Sequence, residues 1–287
     1  LTLTGWPLWW RLLAVGTLWG ASFPLLRLVA PEMPPLALNA LRGGFAALAV
    51  VAYLAAIRDL GPIGWRHALV LGTTNGWVPN LLTTLALTRI EAAPAALIHA
   101  ATPLLVALLA ALLLREERPG PRALAGLALG FAGIAVILGP AALAGGASPF
   151  GGLLILLAGL SYALGTIYGR RLRPASPVRL ALGQQCVAGA VAGLLSLPAE
   201  SPGAYDQPAW VWLVIALLGT LTAALPMTLF FSLLARARVT DVATVGYLQP
   251  PSAALLGALL LGEVPSPLVL LGGLVVLAGV WLATTRR

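Results

Sequence analysis

The sequence predicts an all-α membrane protein: ten transmembrane helices arranged as two inverted five-helix repeats, with both termini on the cytoplasmic side. Three observations predict it. The chain of 287 residues is 60% hydrophobic and only 9% charged, with a mean hydropathy of +0.95, whereas a soluble domain carries roughly 25% charged residues. Its apolar residues gather into ten stretches of membrane-spanning length. Finally, residues 101–119, ATPLLVALLAALLLREERP, are rewritten at 248–266 as LQPPSAALLGALLLGEVPS, with the same mid-segment proline, Ala/Leu run and glutamate.

The ten stretches lie near 7–28, 35–57, 66–88, 92–114, 121–139, 150–170, 177–197, 209–234, 241–261 and 267–284, and are numbered helices 1 to 10. A helix of about 20 apolar residues crosses the hydrocarbon layer. A transmembrane barrel needs alternating ten-residue segments, which the continuous apolar runs exclude. The first stretch lacks a small-residue cleavage site and is followed at once by another, so it reads as a span and not a signal peptide. Charge sets the orientation. All seventeen basic residues are arginine, and with a cytoplasmic N-terminus all but Arg27, Arg42 and Arg89 fall at cytoplasmic ends or loops. Arginine excess in cytoplasmic loops is the usual signature. This placement also argues against nucleic acid as the reason for the net charge of +8. One cysteine, Cys186, and two histidines leave no metal cluster, no redox pair and no expected cofactor.

The repeat carries the functional inference. At an offset of 147, Trp65 matches Trp212, Gly72-Thr73 matches Gly219-Thr220, and Pro79, Arg89, Pro103, Glu116 and Gly126 match Pro226, Arg236, Pro250, Glu263 and Gly273. Near offset 143, Trp19 pairs with Tyr162 and Arg27 with Arg170. Five helices separate each match, and five is odd, so the second copy (146–287) enters the membrane opposite to the first (1–145). Inverted halves can exchange conformations and open first to one side, then to the other, around a midplane site. Pro79, Pro103, Pro226 and Pro250 fall near the middle of helices 3, 4, 8 and 9. Each removes a backbone hydrogen bond and favours a kink. Static bends would aid packing; four equivalent positions in two inverted pairs favour hinges.

Polar side chains inside an apolar bundle mark a cavity or a helix contact. In helix 3, Thr73, Trp77, Asn80 and Thr84 form one stripe. Their partners in helix 8 (Thr220, Ala224, Met227 and Phe231) are mostly apolar. Helix 4 adds His99 and Thr102, helix 9 Tyr247 and Gln249, helix 1 Trp19 and Ser22, and helix 6 Ser161, Tyr162 and Thr166. Trp6, Trp9, Trp10, Trp210, Trp212 and Trp281 lie near helix ends and suit an interfacial belt. Arg42, with Asn39 a turn away, lies about two turns into helix 2, roughly 10 Å by the helical rise. It either snorkels outward or faces the cavity and binds a carboxylate. His99 reads as a hydrogen-bonding cavity residue or as a proton relay.

The segments TPLLVALLAALLLREERPGPRALAGLALGFAGIAVIL and QPPSAALLGALLLGEVPSPLVLLGGLVVLAGVWLA resemble the two signature segments of the drug/metabolite transporter superfamily, EamA type. LWGASFPLLR and ALNALRGGFAALAV resemble its first two helices, and LSYALGTIYGRRL its sixth. Within the superfamily the chain is most similar to the YddG-type amino-acid exporters. The resemblance implies a ten-helix fold with a central cavity walled mainly by helices 1, 3, 4, 6, 8 and 9, with helices 5 and 10 peripheral.

What is missing narrows the function. All nine carboxylates fall in loops or at helix ends. A dedicated exporter of organic cations wants a buried anion, and a membrane prenyltransferase or phosphatase wants carboxylates around a diphosphate. No phosphate-binding loop of the ATPase kind is present. The chain therefore reads as a secondary transporter of a bacterial-type inner membrane, not an enzyme. It would export small zwitterions, amino acids of broad range including aromatic ones. Helices 3, 4 and 9 would hold the head group, and the apolar wall of helices 8 and 9 would take varied side chains. Export of drugs, purines or other metabolites on the same scaffold is the alternative, with a lipid flippase or scramblase as a third. The expected partners are the substrate and the bilayer, with the protein a monomer or homodimer. The glycine face of helix 5 (Gly126, Gly130, Gly133) marks a close helix contact, within one chain or between two.

Overall fold

The computed structural model describes residues 6–113, 120–144, 148–169, 172, 176–236 and 245–284. Arg115, Glu116, Glu117, Arg118, Arg170, Arg171, Arg173, Arg238, Asp241, Arg286 and Arg287 lie outside them, as do the side chains of Phe231 and Tyr247. Ten helices follow in order: α1 (Trp6–Val29), α2 (Pro35–Ala56), α3 (Trp65–Gly72, then Val78–Leu87), α4 (Ala92–His99, then Thr102–Leu113), α5 (Pro121–Ala144), α6 (Pro149–Gly169), α7 (Pro177–Ala199), α8 (Ala209–Gly219, then Leu225–Arg236), α9 (Val245–Leu261) and α10 (Pro267–Thr284). Five segments, those over α1, α2, α6, α7 and the stretch Ala209–Phe230, are individually long and apolar enough to cross a membrane. Proline opens α2, α5, α6, α7 and α10, where its missing N–H costs nothing and its fixed φ suits the first turn.

Two helices are interrupted alike. In α3 the residues Thr73–Trp77 form a wider turn, in which the N–H of Val78 reaches back five residues to the Thr73 carbonyl. In α8 the residues Thr220–Ala224 do the same, with Leu225 N–H on Thr220 O. The two turns are 147 residues apart, the offset of the repeat, and Thr73 and Thr220 share φ −80° and ψ −57°. A proline stands at the second position after each turn, Pro79 and Pro226. Such inserted turns are common at functional sites.

Two carbonyls that prolines leave without a donor find other partners. In a regular helix the N–H at position 79 would serve Asn75 O; the Gln184 amide of α7 donates to it instead, at 3.3 Å. Likewise Pro103 deprives His99 O, and the Thr102 hydroxyl donates to it at 2.6 Å. α4 breaks between these residues, at Ala100 and Ala101, whereas α9 runs unbroken through the equivalent positions with Pro250 and Pro251 inside it.

Small residues set the tightest contacts. α2 and α7 pack against each other, and a Cβ at Gly43 would sit 2.6 Å from Gly189 Cα. α1 meets α9 at Gly20, where a Cβ would fall 2.7 Å from Ser252 Cβ. The glycine face of α5 packs within the chain: a Cβ at Gly133 would meet Gly272 O at 2.7 Å, and one at Gly279 would meet Gly126 O at 2.7 Å. α5 and α10 thus form a pair, and their outer faces expose Leu124, Phe131, Leu271 and Trp281. Their peripheral position agrees with what the family resemblance implies.

Candidate functional site

α2, α3 and α6 bring three polar side chains together inside the bundle. The Asn80 side-chain oxygen accepts from Arg42 Nη1 at 3.4 Å and from the Tyr162 hydroxyl at 3.1 Å. The His99 ring of α4 stands edge-on to Tyr162, with centroids 5.4 Å apart, and tilts against Phe23 of α1 at 5.6 Å. Arg42, Asn80, His99 and Tyr162 all keep partial exposure although each sits within a helix. Among the described residues, Arg42 Nε and His99 Nδ1 are buried and lack a hydrogen-bond partner, and the ion pairs are Arg27–Glu263 and Arg179–Asp59. Arg42 therefore presents a guanidinium whose described hydrogen-bond partner is an amide oxygen, not a carboxylate.

The remaining candidates divide. Asn39 is buried and closes on its neighbours: its amide donates to Thr84 Oγ1 at 3.1 Å and to Pro35 O at 2.7 Å. Thr84, fully buried, donates to Asn80 O at 2.9 Å. That pair ties α2 to α3 and positions Asn80. Trp77 donates to Thr73 Oγ1 at 3.3 Å, within its own stripe. Ser161 donates across to Thr74 O in the wide turn of α3, at 2.8 Å. Trp19 packs on Phe230 of α8 at 5.1 Å. Ser22 and Thr166 donate back into their own helices, and Thr166 is exposed. Gln249 lies where α9 meets Gly20.

Three contributors escaped the sequence reading. Phe23 stacks on His99, and Gln184 and Asn75 staple α7 to the wide turn of α3. Gln184 is a buried amide in an apolar span, the same signal that singled out His99. Phe23 gives no such signal in a chain rich in apolar residues.

A second polar cluster gathers at helix ends. Arg27, in the last turn of α1, donates to Leu87 O at the end of α3 at 2.6 Å and pairs with Glu263 just beyond α9. The other Glu263 oxygen accepts the N–H of Ala92, the first residue of α4, at 2.8 Å. Beside it lies an open cavity of about 460 Å³ lined by Arg27, Leu28, Pro31, Thr88, Leu261 and Glu263. Glu91, also at this end, has its carboxyl pushed up by burial and by Glu263, against the pull of Arg27.

The model of the EamA-like transporter family matches twice, over residues 7–139 and 149–285. A curated protein of Streptantibioticus cattleyicolor, described as a probable terminal-alkyne amino-acid exporter, is 29% identical over 292 residues, covering 96% of this chain and 93% of that protein. One solved crystal structure, 22% identical, superposes with a TM-score of 0.69 over 96% of this chain and 95% of its own; it speaks to the fold alone. The ten-helix membrane architecture and the paired family matches agree: the chain belongs to the EamA-like transporter family of the drug/metabolite transporter superfamily, whose members are transporters and not enzymes.

Proposed function

We propose that this transporter exports amino acids, of broad side-chain range, by alternating access across a bacterial-type inner membrane, with both termini cytoplasmic. One observation carries the substrate reading. Arg42 holds a positive charge inside the bundle, hydrogen-bonded to Asn80, which also accepts from Tyr162, with no carboxylate among its described partners. An unpaired buried charge is costly, and a substrate carboxylate is the natural complement, with guanidinium geometry suited to it. The amino-acid exporter among its relatives supports the same reading.

The mechanical reading rests on the matched wide turns of α3 and α8, each followed by proline. They supply hinges at equivalent places in two units, residues 1–145 and 146–287, inserted in opposite senses. Pro103 and Pro250 would extend the hinging to α4 and α9. Phe230 and Trp19 would line the wall that accepts side chains. The Arg27–Glu263 pair gathers the ends of α1, α3, α4 and α9 and in this reading closes one mouth.

Uptake of labelled phenylalanine, threonine and glutamate into liposomes holding the purified protein tests the proposal. Uptake of several amino acids is expected, and Arg42→Gln should reduce it at least tenfold. If folded protein takes up none of the three but does move purines or drugs, the amino-acid reading is wrong.

A further inference from the structure

The charge content of the site says which end of the substrate is recognised. An amino acid carries a carboxylate and an ammonium. Arg42 complements the first. For the second the site offers neutral groups: Asn80 Oδ1, the Tyr162 hydroxyl and the unpartnered His99 Nδ1, with the Phe23 and Tyr162 rings beside it. Every carboxylate of the described residues sits instead at a helix end or in a loop: Glu32, Asp59, Glu91, Glu200, Asp206 and Glu263. Of the remaining chain, Glu116 and Glu117 fall in the connection between apolar stretches and Asp241 at the very start of one.

Charge counting then separates three ligand classes. A zwitterion neutralises Arg42 but brings in a new cation, so one positive charge stays uncompensated in a weakly polar interior. A carboxylate without an ammonium leaves the site neutral. An amine without a carboxylate places two cations together. The neutral acceptors and ring faces soften the zwitterion's excess charge and cannot rescue the amine.

We propose that the site recognises the carboxylate and is indifferent to the ammonium, so that α-substituted monoanions, 2-oxo acids and N-acyl amino acids, are ligands at least as good as the amino acids themselves. This rests on the reading of Arg42 as the carboxylate partner. It widens the substrate class from amino acids to small organic acids with a side chain.

The test compares analogues with one side chain on the purified full-length protein. Binding of labelled phenylalanine and of labelled phenylpyruvate is measured directly, with N-acetylphenylalanine, phenylalaninamide and phenethylamine as competitors. The expected result is phenylpyruvate binding as tightly as phenylalanine or more so, competition by N-acetylphenylalanine, and none by the two amines at 100-fold higher concentration. Arg42→Gln should weaken phenylpyruvate at least tenfold, with Arg42→Lys recovering part of the loss. Phenylpyruvate binding tenfold more weakly than phenylalanine overturns the inference, as does effective competition by phenethylamine. Binding of phenylpyruvate but not phenylalanine sinks the amino-acid reading and leaves this inference standing. Binding of neither, by protein with an intact unfolding transition, overturns both. The analogue series on the unmodified protein decides the matter even if Arg42 variants fail to fold.

Discussion

Arg27 and Glu263 pair across 236 residues of sequence, and each uses its remaining polar atoms to hold another helix end: Arg27 the carbonyl of Leu87, Glu263 the N–H of Ala92. Gly262 makes this reach possible. Its φ of +67° turns the chain after α9, a conformation open to glycine at little cost, and the N–H of Glu263 returns to Gly257 O at 3.2 Å. Glu263→Gln keeps an acceptor for Ala92 but loses the charge pair. Because Arg27 is 29% exposed and Glu263 11%, solvent screening limits the loss to about 1 kcal/mol. That is enough to shift a two-state equilibrium severalfold. In a Cys186→Ser, Ser22→Cys background, Glu263→Gln should raise labelling of Cys at position 22 by an impermeant thiol reagent from the Arg27 side. The charge swap Arg27→Glu with Glu263→Arg should reverse it. Unchanged labelling in both would leave the pair a structural fastening only.

Thr102 spends its one donor on the carbonyl that Pro103 leaves free. Thr102→Val keeps the shape and strands that carbonyl, at a cost of about 1–3 kcal/mol. Thr102→Ser should keep the bond and cost far less. Thermal unfolding in detergent distinguishes the two. Equal stability of the valine and serine variants would mean that another group takes over His99 O.

The helix count and the internal repeat were legible because they depend on sums over many residues. Ten apolar runs and an offset of 147 survive local error, and the wide turns fell at Gly72-Thr73 and Gly219-Thr220, two of the matches that stood out from the leucine background. Arg42, Asn80, His99 and Tyr162 were legible for a related reason, since a polar atom in lipid must be explained. What the sequence could not supply was the partner of each polar atom. Asn39 and Thr84 look as free as Asn80 in a one-dimensional pattern, yet the Asn39 amide N–H is already spent on Thr84 and Pro35. Glu200 looks like a loop residue, yet its two oxygens accept the N–H groups of Leu36 and Ala37, 2.8 Å each, and cap α2 from the far end of α7. Such pairings depend on which helices adjoin, which periodicity along one helix does not encode.

Glu91 gives the stability a pH dependence with a defined sign. Burial and the neighbouring Glu263 raise its folded-state value above the usual 4.5, with Arg27 opposing. A raised carboxyl binds its proton more tightly in the folded protein. Its contribution is therefore fully present below about pH 4.5 and is lost as pH rises through the elevated folded value. Glu91→Gln should abolish this component, so its advantage over the parent protein should grow with pH across that window and then level off. Unfolding midpoints from pH 4 to 8 would show it, and a constant difference across the range would contradict it.

Adjacent glycines in α2 should respond in opposite directions. α2 and α7 run antiparallel and are fastened at both ends. Glu200 caps the start of α2, while Asp59, past the end of α2, accepts from Ser176 at 2.9 Å and lies 3.6 Å from Arg179 at the start of α7. With both ends fixed, the crossing at Gly43 and Gly189 has little freedom to widen. A Cβ at Gly43 would lie 2.6 Å from Gly189 Cα and 2.7 Å from its nitrogen. Backbone atoms cannot rotate away as a side chain can, so Gly43→Ala must force the helices apart, at a cost of about 1–3 kcal/mol or more. A Cβ at Gly44 meets nothing within 4 Å. There alanine only restricts the unfolded chain and favours the helix, a gain of about 0.5–1 kcal/mol. Unfolding midpoints of the two alanine variants should fall on either side of the parent protein. If Gly43→Ala is tolerated as well as Gly44→Ala, the end fastenings do not hold the crossing, and removing them with Glu200→Gln should then change little.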